Sequence, residues 1–547
     1  MIATLKGRQA DDVSLQDVRD LIGVEALRRD LLIEYLHLLN DAYRGLHERH
    51  LVALAKVMNI PMAEVYEVAT FYHHFEVIRD GDVAADLTIR VCNGLSCELA
   101  GAKQLIQKLP QLLVNPKIKV IAAPCVGRCE QAPVAVVHQN AVVHATAESV
   151  AAAVAKNQKW QALPDYEDME AYIANGGYEL LKQIQSKVME PEKIIQTMES
   201  SGLRGLGGAG FPAGRKWRIV REQVAPRLMA VNIDEGEPGT FKDRTYLERD
   251  PHRFIEGMLI AAQVVGIDAI YIYLRDEYHG CRQLLVTELA RLKANPPCPL
   301  PLIELRRGAG AYICGEESAM IESIEGKRGE PRMRPPYIAQ VGLFGRPTLE
   351  HNFETLYWVR DILQKGADWF SGFGRHGRKG LRSFSVSGRV KNPGVKLAPA
   401  GITIEELINE YCGGMQEGHT FYAYLPGGAS GGILPASMKD IPLDFDTLQP
   451  YGCFIGSAAI IVLGHQDAAR DAALNMMRFF AHESCGQCTP CRVGTTKAVQ
   501  LMQAKVWDNH TLEDLNQVMA DASICGLGQA APNPVRCVQK YFPLEIV

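Results

Sequence analysis

With 547 residues the chain is too long for one hydrophobic core and is expected to divide into about three to five domains. Its 47% hydrophobic and 22% charged composition is that of a globular protein, and a net charge of -5 with both signs interspersed argues against a nucleic-acid partner. Fourteen cysteines behind an N-terminus with no apolar signal stretch imply a reducing, cytoplasmic setting, where clustered thiols more often bind metal or do redox chemistry than form disulfides.

Residues 1–82 read as a helical bundle, because LLIEYLHLLNDAYRGL and HLVALAKVMNI repeat apolar residues at 3.6 spacing. From 83 to 158 short strands alternate with helices in LTIRVC, AGAKQLIQKLP, IKVIAAPC and AESVAAAVAK, an α/β module. Within it Cys92 and Cys97 form a C-x4-C and Cys125 and Cys129 a C-x3-C, each on a loop after a strand, so the two pairs can converge at one end of the sheet. That spacing suits a 2Fe-2S cluster and a zinc ion equally. The polar stretch 159–180 reads as a linker.

The segment 181–378 holds RGLGGAGFPAGRKW, in which Gly205, Gly207, Gly208 and Gly210 spell G-x-G-x-x-G. A helix-like run precedes these glycines and Pro212 follows them, the reverse of the strand-glycine-helix order of a Rossmann fingerprint. Side-chain-free backbone flanked by Arg204, Arg215, Lys216 and Arg218 still suits a phosphate, against the alternative of a plain flexible turn. Downstream, VNIDEGEPGTFKDR and GAGAYICGEES gather Asn232, Asp234, Glu235, Glu237, Glu316 and Glu317; these are either a solvated loop or acceptors for ribose hydroxyls and a ring edge. The apolar stretch 257–274 is broken by Asp268 and reads as helix then strand. The run 453–463 is far short of the roughly 20 residues a bilayer requires, so no membrane partner is expected.

Residues 379–455 suggest a small β-grasp-like unit, and 456–547 a helical one. In the latter Cys485, Cys488 and Cys491 stand at C-x2-C-x2-C, and Cys525 can close the set. Tight triple spacing favours a 4Fe-4S cluster over a four-cysteine zinc. The cysteines at 281, 298, 412, 453 and 537 read as scattered core or surface residues, with Cys314 set apart by its glycine- and glutamate-rich neighbours.

The motifs RGLGGAGFPAGRKW, DEGEPGTFKDR, GAGAYICGEES, EGKRGEPR and SCGQCTPCRVG resemble the NADH- and FMN-binding subunit of respiratory complex I and of soluble NAD-linked hydrogenases and formate dehydrogenases, over residues 180–547. The N-terminal part is similar to the thioredoxin-like 2Fe-2S subunit of the same systems. Such hydrogenase flavoproteins commonly lack part of the N-terminal cysteine set; all four are present here, and with YLRDEY and YLPGGASGGILPASM the chain most resembles the beta subunits of molybdenum- or tungsten-dependent, NAD-linked formate dehydrogenases. The resemblance implies a multidomain α/β protein with a non-classical Rossmann-like FMN domain. It implies FMN held by Gly205, Gly207, Gly208, Gly210, Lys216, Asn232, Asp234, Glu235, Tyr312, Gly315, Glu316 and Asn352. NAD is then expected to face Phe211, Glu237, Glu317, Arg334 and Tyr337, with Glu235 and Glu237 the catalytic candidates. The two cysteine sets would hold 2Fe-2S and 4Fe-4S clusters, and a large alpha subunit with a pterin-bound metal would oxidise formate. A hydrogenase partner and a non-catalytic, zinc-stabilised scaffold are the alternatives. Ile219 and His351 depart from the family pattern, where an aromatic residue and an asparagine are usual.

Overall fold

The computed structural model describes residues 7–23 and 27–547. Helices Asp12–Ile22, Leu32–Tyr43, Glu48–Met58 and Met62–Phe71 form the N-terminal unit, burying Leu15, Leu36, Leu51, Leu54 and Val68 on their inward faces. Asp11 opens the first helix by accepting from the Ser14 N–H at 2.8 Å. This bundle shares one continuous core with part of the large sheet and with the units beyond residue 380: buried Tyr72 donates to Ser323 Oγ at 2.8 Å, and buried Arg306 pairs with Asp30 at 2.5 Å.

The second unit is a four-stranded sheet in the order Ile118–Ala123, Leu87–Cys92, Ala135–Val137, Asn140–Val142. Its first pair is parallel and the rest antiparallel. Helices Ala102–Leu112 and Ala147–Ala155 cover it, the second opened by a Thr146 capping box.

The largest unit has an all-parallel sheet in the order Thr348–Asn352, Arg227–Ile233, Ile267–Leu274, Leu302–Arg307. Both faces are covered, which is why AIYIYL is apolar throughout rather than alternating. All four strands end at one edge, where Asn232 stands in register with Asn352, and it is outside such carboxyl ends that open α/β sheets bind ligands.

Two boundaries differ from the sequence reading. The expected linker 159–180 contains the helix Met169–Ala174, which buries Met169 and Tyr172 against the large unit; Tyr172 donates to the buried Glu256 carboxylate. A short helix facing one buried glutamate has too few apolar residues to register as periodic. The expected break at 455/456 falls inside the β-grasp unit, because Ala459–Gly464 is a central strand of its five-stranded sheet, between Leu381–Gly388 and Phe421–Leu425. The helical C-terminal unit therefore begins at Ala469–Glu483. Among the described residues no helix is long and apolar enough to cross a membrane.

The 2Fe-2S-type unit is gripped by the large one. Buried Arg275 donates to the Cys125 carbonyl at 2.7 Å and buried Arg244 to the Gly127 carbonyl at 3.0 Å. Arg244 also pairs with Glu130, and Arg128 with Glu248 at 2.9 Å. Gly127 has φ +70°, and a Cβ there would enter the Tyr278 ring. Gly127→Ala is therefore expected to cost about 2–4 kcal/mol through backbone strain and overpacking. Hydrogen exchange should quicken across residues 87–142 while the strand Ile267–Leu274 stays protected.

Candidate flavin and iron-sulfur site

The glycine loop closes on itself through the Gly205 N–H donating to the Phe211 carbonyl at 2.8 Å, and it is anchored by the Leu206 N–H on Thr355 Oγ1 at 2.9 Å. A Cβ on Gly207 would lie 2.9 Å from the Asn352 Cβ, and one on Gly208, at φ +130°, would lie 3.8 to 3.9 Å from the main chain of Gly456 and Ser457. The loop thus lies between Asn352 and a turn of the β-grasp unit. Lys216 donates to the carbonyl and the carboxylate of Glu350 at 3.0 and 2.9 Å; burial opposes its charge, and the Glu350 and Glu317 carboxylates more than offset that. Phe211 is 39% exposed, with the Arg215 guanidinium 5.7 Å from its ring centre.

The carboxylates at the strand ends take different parts. Asn232 donates to the Gly315 carbonyl at 2.9 Å and accepts the Asp234 N–H at 3.0 Å. Burial lifts the Asp234 carboxyl well above its usual range, and its Oδ2 is buried with no hydrogen-bond partner among the described residues. Glu237 accepts from the Ser430 N–H at 2.9 Å and hydroxyl at 2.7 Å, and from the Tyr312 hydroxyl. Glu235, expected to be catalytic, is instead turned into the protein. It accepts from the Asp243 and Arg244 N–H groups at 2.9 and 3.2 Å and the Tyr278 hydroxyl at 2.8 Å. Burial, with the Asp243 charge behind it, pushes its carboxyl up to about 7.

Glu316 caps the helix Glu317–Ile324, accepting from the Ser318 and Ala319 N–H groups at 3.0 Å each, and Arg334 pairs with it. Glu317 is left in the first turn, 3.3 Å from Arg334, with its carboxyl raised by burial and by Glu350. Tyr337 is 56% exposed at the same mouth. His351 lies in the core, where burial and then the Lys216 charge hold its imidazole well below the usual range, and it accepts from Trp217 Nε1 at 2.7 Å. Ile219 lies on the same helix as Lys216 and is half-buried.

The sequence reading missed one cluster. Lys242, buried under the glycine loop, pairs with Asp243 at 2.6 Å and Glu354 at 3.1 Å, and Asp243 accepts from the Asn352 amide at 2.6 Å. Its only trace in the sequence is a TFKDR segment too polar for the buried position it takes.

Both cysteine sets assemble. Cys125 and Cys129 Sγ are 3.3 Å apart, Cys92 lies within hydrogen-bonding reach of Cys97 and Cys125, and all four are buried free thiols. Cys485, Cys488, Cys491 and Cys525 face one another on loops and helix starts of the C-terminal unit; burial raises Cys485 to about 11 and Cys491 to about 12. Four thiols gathered in each set suit a group that deprotonates them on binding, as iron–sulfur clusters do. The buried acceptor of Asp234 and the side-chain-free glycine cradle likewise suit a flavin. Cys453 and Cys537, expected to be scattered, sit with Sγ atoms 3.5 Å apart across the β-grasp and C-terminal units. Cys314 is a buried core thiol beside Tyr72, Tyr273 and Ser323.

This combination defines an NADH:FMN oxidoreductase subunit of the diaphorase class, with iron–sulfur domains on either side of the flavin unit. Residues 198–361 match the Nuo51 FMN-binding domain, 471–547 the NADH-ubiquinone oxidoreductase-F iron-sulfur binding region, 19–158 the thioredoxin-like 2Fe-2S ferredoxin and 383–434 the SLBB domain. The chain belongs to the 51 kDa flavoprotein family of complex I. It is 39% identical over 397 residues to the mitochondrial NADH dehydrogenase (ubiquinone) flavoprotein 1 of Dictyostelium discoideum, covering 69% of this chain and 82% of that one. The mitochondrial 51 kDa component of NADH-ubiquinone oxidoreductase from Neurospora crassa is 39% identical over 374 residues, covering 64% and 76%. A chain of an NAD+-reducing NiFe-hydrogenase in the H2-reduced state superposes with a TM-score of 0.81 at 32% identity, over 95% of this chain and 92% of that one.

Glu235→Ala would leave two N–H groups and a buried hydroxyl without an acceptor, an expected loss of about 2–4 kcal/mol. The melting temperature should fall while NADH oxidation by the folded fraction stays within about threefold of wild type; a rate loss of orders of magnitude at unchanged stability would return Glu235 to the chemistry.

Proposed function

We propose that the chain is the NAD(H)-facing diaphorase subunit of an NAD-dependent formate dehydrogenase, with formate oxidised on a separate large subunit that carries a molybdenum or tungsten pterin. FMN, when bound, exchanges a hydride with NAD(H) and passes electrons singly to iron–sulfur centres. The observation that carries the reading is the position of Tyr312. Its hydroxyl meets Glu237 in the nucleotide crevice, its N–H meets Glu483 at 2.9 Å, and Glu483 stands two residues before Cys485.

In this reading the main chain of Gly205, Gly207, Gly208 and Gly210, with Lys216 and Asn352, receives the flavin phosphate. Asn232, Asp234, Gly315 and Glu316 border the ring, where burial shifts the Asp234 carboxyl toward its neutral form. Phe211 and Tyr337 offer exposed aromatic faces to NAD, and Glu317 and Arg334 meet its ribose. Glu237, held by Ser430 and Tyr312, is the carboxylate that orients the reacting rings. Cys92, Cys97, Cys125 and Cys129 hold the 2Fe-2S cluster; Cys485, Cys488, Cys491 and Cys525 hold the 4Fe-4S cluster that serves as outlet. Four intact N-terminal thiols in a fused chain favour formate dehydrogenase. The near full-length likeness to a chain of an NAD+-reducing hydrogenase favours the second reading, a hydrogenase partner.

The lone chain, loaded with flavin and clusters, is expected to reduce artificial acceptors with NADH and to do nothing with formate. The complex with its copurifying large subunit should reduce NAD with formate; hydrogen-dependent reduction in its place establishes the second reading.

Glu317 also predicts nucleotide choice. A 2'-phosphate would add like charge in a partly desolvated pocket, so NADPH is expected to be rejected. Glu317→Gln should raise kcat/KM for NADPH relative to NADH by about ten- to a hundredfold. An unchanged ratio with a lowered melting temperature would assign Glu317 to helix stability alone.

A further inference from the structure

We propose that His73, His482 and Glu483 form a zinc site, separate from both cysteine sets, that staples the N-terminal bundle to the C-terminal iron–sulfur unit. His73 follows the helix Met62–Phe71, and its main-chain N–H is fixed on the Gly310 carbonyl of the flavin unit at 3.2 Å. His482 and Glu483 end the helix Ala469–Glu483. The two imidazole rings lie 4.1 Å apart between centroids, and one ligand atom from each of the three residues falls within 4.8 Å of the others. His482 Nδ1 is 3.0 Å from Glu483 Oε1.

The donor set selects the ion. Two imidazole nitrogens and one carboxylate oxygen suit a borderline divalent cation such as Zn²⁺, whereas Mg²⁺ and Ca²⁺ require mostly oxygen donors. Ligand distances of about 2.0–2.1 Å require the three atoms to draw closer than they now stand. The exposed side chains of His73 and His482 are free to make that movement. Glu483 is not, because it is buried and its other oxygen accepts the Tyr312 N–H. An ordered carboxylate with one oxygen bound to the protein and the other facing two solvent-accessible imidazoles gives the ion an entry path, an oriented anchor and a fourth position for water. The three residues line a cavity of about 140 Å³ that also touches Asp234, Cys125 and Tyr312, so the ion would sit where four units meet.

The test uses the holoprotein, flavin and clusters loaded, treated with a mild chelator and then equilibrated with zinc chloride. Zinc is counted by mass spectrometry after dialysis, beside the melting temperature. The expected result is about one zinc per chain with a raised melting temperature, and no such rise with magnesium chloride. His73→Ala and His482→Ala should each weaken binding by about tenfold or more and abolish the rise, at unchanged iron and flavin content. Should His482→Ala fail to load its cluster, His73→Ala, in a different unit, decides alone. Zinc held with wild-type affinity by His73→Ala, or no zinc retained by the wild type, overturns the site.

Discussion

Arg275 and Arg244 are buried guanidinium groups that direct donors across the boundary between two folding units, onto the main-chain carbonyls of the loop carrying Cys125 and Cys129. Removing such charges from water is costly unless every donor is met, and here carbonyls and the carboxylates of Glu277, Glu130 and Glu248 meet them. Most of the remaining architecture follows from that constraint. Tyr278, held by Glu235, leaves room only for a glycine at 127, and Glu235 in turn starts the short helix that supplies Arg244. Chain connectivity alone would allow the two units to swing; the buried guanidinium contacts give them one relative position.

The crevice works by a division among its acids. Carboxylates crowded at the ends of parallel strands cannot all be charged in a desolvated site, and their surroundings separate them. Asp234 is pushed toward its neutral form by burial, Glu235 is absorbed into the frame, and Glu316 caps a helix where its charge is welcome. Glu237 and Glu317 remain half-buried at the mouth. The cations are divided too: Lys242 is locked between Asp243 and Glu354 beneath the loop, while Lys216 stands beside it. The outcome is a glycine-lined loop with paired charges beside it and a desolvated acid at the strand ends.

The crevice and the C-terminal unit are joined by short connections. Tyr312 joins the crevice to Glu483 and packs at a tilt against Phe479 with ring centres 5.0 Å apart, so the end of the helix preceding Cys485 cannot shift without moving the turn that carries Tyr312. The β-grasp unit closes the other side, with Gly456 and Ser457 against Gly208 and Ser430 against Glu237. Each unit thus contributes wall as well as scaffold.

The sequence by itself determined the local chemistry. Thiol spacing and glycine loops are short-range patterns, so the two cysteine sets, the order of units and the departure from a Rossmann turn were legible from residue types and intervals, while the cofactor classes came from the family motifs. Features made by contacts between distant segments were not. The strand Ala459–Gly464 belongs to the middle of a sheet begun by Leu381–Gly388, and an apolar run carries no mark of its pairing partner. Glu235 and Glu237 both follow the strand Arg227–Ile233 in irregular chain, yet one faces a helix start and the other the crevice, because no strand or helix period sets side-chain direction there and the packed neighbours do. Lys242, Cys453 with Cys537, and the meeting of His73 with His482 each pair residues remote in the chain or hide a charge in the interior. Tertiary structure decided these, since burial and proximity across a long chain are properties of the whole packing and not of any window within it.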